Sequence, residues 1–166
     1  MTKINWGIIG LGNIAKVFAD GFADSKNSKL LGIASRDLKK LENFKNQFNI
    51  EKKFIFNDYD DLINCKEIDV IYISLPNSFH YEMIVKGLKS KKHILVEKPA
   101  TQNFEEAYKI YKMIKKENLF FSEGFLYRYY LQTKKIIDCL QSNQIGKLLS
   151  MESSFGNNLL TKKRFF

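Results

Sequence analysis

The segment "ILVEKP", residues 94–99, runs an apolar stretch straight into a carboxylate, an ammonium and a proline. A buried strand has no use for such an ending. It makes sense where a strand opens onto a crevice in which a proton is moved. An ammonium in a partly dry cleft is readily relieved of its proton, so Lys98 can share one with a substrate hydroxyl. Glu97 can orient that lysine or accept a hydrogen bond from a sugar hydroxyl, and Pro99 can set the turn, a cis peptide included. The plainer alternative is a surface strand end carrying an ordinary Glu–Lys pair.

Three further stretches bear on the same chemistry. "GIIGLGNIA" (7–15) has the Gly-x-Gly-x-x-Gly/Ala spacing of a dinucleotide loop. Gly10 allows the tight turn, Gly12 lets a pyrophosphate approach the backbone, and Ala15 permits close packing of helix on strand. Leu11, Asn13 and Ile14 complete the loop and the first helical turn, whose free N–H groups and dipole favour phosphate. "ASRD" (34–37) stands where an acid usually meets the ribose of NAD, about 20 residues after the glycines. Here Ser35 and Arg36 come first. Arg36 suits a 2′-phosphate or stacks on adenine, with Lys40 adding charge one turn later, so NADP is favoured and NAD stays possible. Alternatively, Arg36 is a surface residue and Asp37 merely caps a helix. "LPNSFHYE" (75–82) brings Leu75, Pro76, Asn77 and His80 to a strand end; for His80 capping, packing and catalysis are the alternatives.

These stretches must be positioned by regular elements, and the hydrophobic pattern supplies them. Strand candidates 4–10, 29–35, 53–56, 69–75, 93–97 and 119–123 alternate with segments of helical period. Ile14, Phe18 and Phe22 share one helical face, as do Leu38, Leu41, Phe44 and Phe48. Asp37 is placed to cap the second helix, and Asn103 with Glu106 has capping-box spacing. Repeated alternation implies parallel pairing, so residues 1–123 are expected to form a doubly wound α/β domain. All the strands then end at one edge, bringing the four stretches together. Residues 127–146 read as a long helix closed by Gly146, and 147–158 as a further strand. Residues 124–166 are therefore expected to open a second α/β domain that is incomplete here.

Composition narrows the class. Of 166 residues, 45% are hydrophobic and 14% aromatic, which suits a packed core. The formal charge of +9 comes from lysines interleaved with acids along helices, a solvated surface rather than a nucleic-acid groove. Cys65 and Cys139 are far apart and only two histidines occur, so neither a disulfide framework nor a metal site is indicated. No apolar run approaches a membrane span, and the start lacks a signal peptide, which makes a cytoplasmic protein the default.

Taken in order, "GIIGLGNIA", "ASRD", "LPNSFHYE", "EKPA" and "EGFLYRYY…IGKLLSMESSFG" resemble the glucose–fructose oxidoreductase / inositol dehydrogenase (Gfo/Idh/MocA) family, most closely its dihydrodiol dehydrogenase-like branch. The resemblance implies an N-terminal Rossmann domain, an open-sheet C-terminal domain, and hydride transfer between nicotinamide and a sugar, cyclic polyol or related hydroxyl. It also implies that Lys98 is the catalytic lysine, that Glu97 and Pro99 complete its motif, and that His80 lies near the nicotinamide. In that family a second catalytic residue, the substrate wall and a dimerising sheet face follow in the C-terminal domain, beyond Phe166 here. The expectation is thus the cofactor portion of an enzyme that is a homo-oligomer when complete. A non-catalytic nucleotide-binding module or inactive fragment is the alternative; a methyltransferase would give Lys98 no task.

Overall fold

In the computed structural model, residues 3–154 and residue 156 are described. Six strands form one parallel sheet: β1 (Ile4–Ile9), β2 (Ser28–Ala34), β3 (Ile55–Phe56), β4 (Val70–Ile73), β5 (His93–Val96) and β6 (Phe121–Glu123). Their order across the sheet is β3-β2-β1-β4-β5-β6. The helices between them are α1 (Asn13–Asp20), α2 (Leu38–Phe48), α3 (Tyr59–Asn64), α4 (His80–Lys89) and α5 (Phe104–Glu117). The doubly wound sheet expected from the alternation is therefore present.

Both faces of the sheet are covered, which explains why its strands are nearly all apolar. Successive residues alternate between two cores. Ile9, Ala34, Ile71, Ile73, Ile94 and Val96 pack on one side with Leu62, Ile84 and Leu88. Ile8, Ile33 and Tyr72 face the other, against Ala15 and Ala19 of α1 and Leu41 and Phe44 of α2. Each fully buried aliphatic side chain stabilises the fold by roughly 1.5–3 kcal/mol relative to exposure.

The helix starts follow the local signals. Asp37 Oδ1 accepts from the backbone N–H groups of Lys39 and Lys40. Asn103 Oδ1 accepts from Glu106 N at 2.9 Å, while Glu106 Oε2 reaches back to Gln102 N, one residue earlier than a capping box requires.

Three expectations need correction. The third strand is half its expected length, because Lys52–Phe54 forms a 3-10 turn that buries Phe54. At the sheet edge only β2 is available to hold it extended. The expected helix 127–146 is shorter as well: Leu126–Tyr129 is a separate 3-10 turn and α6 spans Leu131–Gln141. Asn143, with φ of 57°, supplies the left-handed residue before Gly146 is reached. Finally, residues 147–154 and 156 carry no strand. Extended chain needs a hydrogen-bonding neighbour, and none of the described residues provides one; Phe155, Asn157 and Asn158 lie outside the described set.

The chain divides after Phe125 into units of residues 1–125 and 126–166. Among the described residues, no helix is long and apolar enough to cross a membrane.

Candidate active site

The strand order decides which loops meet. From β1 the chain moves outward through β2 to β3, then crosses back to place β4 on the opposite side of β1. Loops leaving the carboxyl ends of β1 and β4 consequently diverge, and the crevice between them is where such sheets bind ligands. Along this edge stand Ser35–Arg36 after β2, Gly10 after β1, Ser74–Asn77 after β4 and Glu97–Lys98 after β5.

Gly10 is required by its surroundings. Its φ is +89°, and a Cβ there would lie 2.9 Å from both Ser74 O and Leu75 Cδ2. Gly10 N donates to Ala34 O, and Ser74 Oγ donates to Gly10 O at 2.7 Å, so the glycine turn is tied to β2 and β4. Gly12 differs: a Cβ would meet nothing within 4 Å, because it would project into open space. Gly12 is the N-cap of α1, which has no side-chain cap and no acid in its first turn. The helix thus presents unsatisfied N–H groups and its positive end, the arrangement that suits a pyrophosphate. Leu11 and Ala15 are buried beneath the turn, whereas Asn13 and Ile14 are exposed beside it.

At the end of β2, Ser35 is buried and its Oγ accepts from Asp37 N. Asp37 is occupied in capping α2. The exposed Arg36 guanidinium lies over the Tyr59 ring, 5.0 Å from its centroid. Among the described residues no hydrogen bond or ion pair takes its N–H groups, which leaves them for an anion. Lys40 is exposed in the first turn of α2.

After β4, Pro76 and Asn77 are exposed and Leu75 is half-buried. His80 is fully buried, with Nδ1 2.8 Å from Pro99 O and Nε2 2.8 Å from Leu75 O. Of capping, packing and catalysis, this geometry fits a packing histidine that also ties two loops. Both ring nitrogens face backbone carbonyls, so neither is turned to a substrate. The tie joins the loop after β4 to the loop carrying Lys98.

That second loop is held at several points. Glu97 N donates to Ile73 O, Ala100 N donates to Glu123 Oε1 at 2.8 Å, and the Lys98–Pro99 peptide is cis. Glu97 is half-buried, and its Oε1 accepts from the Tyr72 hydroxyl at 2.6 Å. Lys98 is exposed. Among the described residues of the first unit, none encloses it, so the partly dry cleft expected around the ammonium is not formed there.

Two contributors escaped the sequence reading. Tyr72 and Glu123 both act across strands, on Glu97 and Ala100, and such pairings are invisible along the chain. A faint signal existed: Tyr72 puts a hydroxyl inside the apolar run "VIYI", and Glu123 ends "LFFSE" on a charge.

Comparison with known proteins settles the family. Residues 4–125 match the Gfo/Idh/MocA oxidoreductase family, described as having an NAD-binding Rossmann fold. The chain belongs to this family. Trans-1,2-dihydrobenzene-1,2-diol dehydrogenase of Xenopus laevis is 28% identical, over 96% of this chain and 48% of its own length. Scyllo-inositol dehydrogenase from Lactobacillus casei, solved with NAD(H) and scyllo-inositol, has a TM-score of 0.81 at 28% identity. It is covered over 43% of its length, and this chain over 87%. A 3-ketoreductase from Actinomadura kijaniata, solved with NADP and TDP-benzene, has a TM-score of 0.77 at 26% identity, over 86% of this chain and 43% of that one. The chain spans about half the length of the curated relatives it matches. It carries the NAD(P)-binding Rossmann fold of the family, and the residues along its crevice fit such a cofactor: an open space at Gly12, an uncapped helix end and a polar strand-end loop.

Proposed function

We propose that this chain is the cofactor-binding part of an NADP-preferring oxidoreductase that transfers hydride between nicotinamide and a hydroxyl-bearing carbon. The dihydrodiol, inositol and ketoreductase activities named for its relatives support a sugar, cyclic polyol or dihydrodiol as the substrate class. The observation that carries the reading is the convergence of Ser35–Arg36, Gly10–Ile14, Leu75–Asn77 and Glu97–Lys98 along one sheet edge, in that order. Gly12 and the start of α1 hold the pyrophosphate. Arg36, braced on Tyr59, and Lys40 take the 2′-phosphate, which Asp37 cannot repel strongly while its carboxylate is bonded to α2. At the other end, Glu97 accepts from the ribose next to the nicotinamide. Lys98 shares a proton with the substrate hydroxyl. His80 moves no proton and holds Lys98's loop. The nicotinamide itself supplies the hydride acceptor or donor.

A second reading, a nucleotide-binding module without catalysis, is favoured by one observation: Lys98 is exposed.

One experiment with two substitutions separates these readings. Calorimetric titration of the chain should show tighter binding of NADPH than NADH, with the difference shrinking as salt rises. Arg36→Ala should remove about 1–3 kcal/mol of NADPH binding, the scale of a charge-assisted contact. Equal affinities in the unsubstituted chain would remove the NADP assignment. In the same reading frame extended past Phe166 and assayed on a polyol and sugar panel, Lys98→Met should leave cofactor affinity intact while turnover falls about 100-fold. Unaltered turnover would take Lys98 out of the mechanism.

A further inference from the structure

Tyr72 poses a problem of placement. It lies at the centre of the sheet, opposite Ile8 of β1 and Leu95 of β5, and is only 2% exposed. Its ring packs on Phe18 of α1 with centroids 4.1 Å apart. For filling that space a phenylalanine would do, without the cost of removing a hydroxyl from water. A buried hydroxyl persists where it has a partner, and here the partner is Glu97. The contact, 2.6 Å from Tyr72 oxygen to Glu97 Oε1, is short, as bonds from a hydroxyl to a carboxylate are. Gly124 adds to the confinement: a Cβ there would lie 3.2 Å from the same Oε1, so a larger residue would crowd the carboxylate.

We propose that Tyr72 is a positioning residue: its hydroxyl fixes Glu97 Oε1, so that Oε2 is held toward the crevice to accept from the hydroxyls of the nicotinamide-side ribose. The proposal rests on the reading of Glu97 given above, and extends it to a residue that touches no ligand. Unrestrained, a glutamate side chain at a strand end samples several rotamers, and ordering it on binding costs affinity. The tyrosine removes that cost in advance. Because the same ring packs against Phe18 of α1, the helix at the pyrophosphate end and the carboxylate at the nicotinamide end are seated on one rigid side chain. A flexible pairing between surface residues would have no such reach.

The test uses the chain itself and two ligands in calorimetry: NADPH, and 2′,5′-ADP, which has the adenosine and 2′-phosphate but no second ribose. Tyr72→Phe keeps the ring and should weaken NADPH binding about tenfold, the scale of one hydrogen bond to a charged group, while 2′,5′-ADP binding stays unchanged. Glu97→Ala should show the same selectivity, and the double variant should be no weaker than Glu97→Ala alone, because the tyrosine acts through the glutamate. A purely structural tyrosine would weaken both ligands alike, and that result overturns the proposal. So does a Tyr72→Phe chain with full NADPH affinity when Glu97→Ala has lost it; the reading of Glu97 would then survive without its positioning partner. If Glu97→Ala binds NADPH normally, the reading of Glu97 itself falls, and the proposal with it.

Discussion

A phenol closed off from water resists ionisation, and Tyr72 is closed off in two ways. Burial is the larger cause, and the carboxylate accepting its proton is the second; together they push the phenol well above its ordinary 10.0. The consequence for stability has a definite sign. The native chain keeps this proton at pH values where the unfolded chain loses it, so the contribution is intact below pH 10.0 and is lost as pH rises beyond. Tyr72→Phe removes that loss. In denaturant titrations the wild-type chain should be the more stable one near neutrality, and its advantage should shrink above the ordinary phenol value, by at most about 1.4 kcal/mol per pH unit. A constant gap between the two chains up to about pH 11 would mean that Tyr72 ionises freely when folded.

Among the elements, α4 shows how the site's floor is held. One end is tied by His80 to the carbonyls of Leu75 and Pro99. Beyond the other end, Lys92 is buried and donates to Cys65 O and Ile68 O, each at 2.7 Å. Burial lowers the Lys92 pKa from its ordinary value, and the two carbonyls partly offset the cost of keeping the ammonium there. Between these ties the helix lies close against β5. A Cβ on Gly87 would sit 2.6 Å from Ile94 Cδ1, and Ile94 is itself fully enclosed. In an exposed helix, Gly→Ala would gain about 1 kcal/mol from helix propensity. Overpacking a filled core costs about 1–3 kcal/mol, so crowding should win here. Gly87→Ala is expected to lower the thermal midpoint, and to loosen the loop after β4 by displacing α4. A rise in midpoint would show that Ile94 can repack.

At the scale of the whole molecule, the two units differ in what they bury. Residues 1–125 hold both cores, whereas no described residue of 126–154 is buried. In α6, Leu131, Ile136 and Ile137 are 75%, 47% and 45% exposed. A segment with little buried apolar surface opens at little cost in free energy, and proteases cut opened segments. Limited proteolysis should therefore trim 126–154 first and leave a resistant fragment ending near Phe125. That fragment should bind the dinucleotide as the uncut chain does, since every proposed cofactor contact precedes it. Protection of 126–154 equal to that of 1–125 would show that the second unit has a core of its own.

Much of this was legible along the chain because it depends on neighbours in sequence. The alternation of apolar strands with helical stripes, the glycine turn, the Asp37 cap and the placement of Glu97–Lys98 at a strand end all follow from periods and propensities a few residues long. The rest depended on partners distant in sequence. β3 lost half its length because an edge strand is held on one side only. The segment 147–154 stayed unpaired because no described strand lies beside it. His80 became a tie because Leu75 and Pro99 bring carbonyls to both its nitrogens, and a histidine's role is decided by what its nitrogens meet. Tyr72 looked like core in "DVIYISL" and is core by packing. Its hydroxyl acquired a purpose only when parallel pairing of β4 with β5 brought Glu97 within hydrogen-bonding distance, 25 residues along the chain.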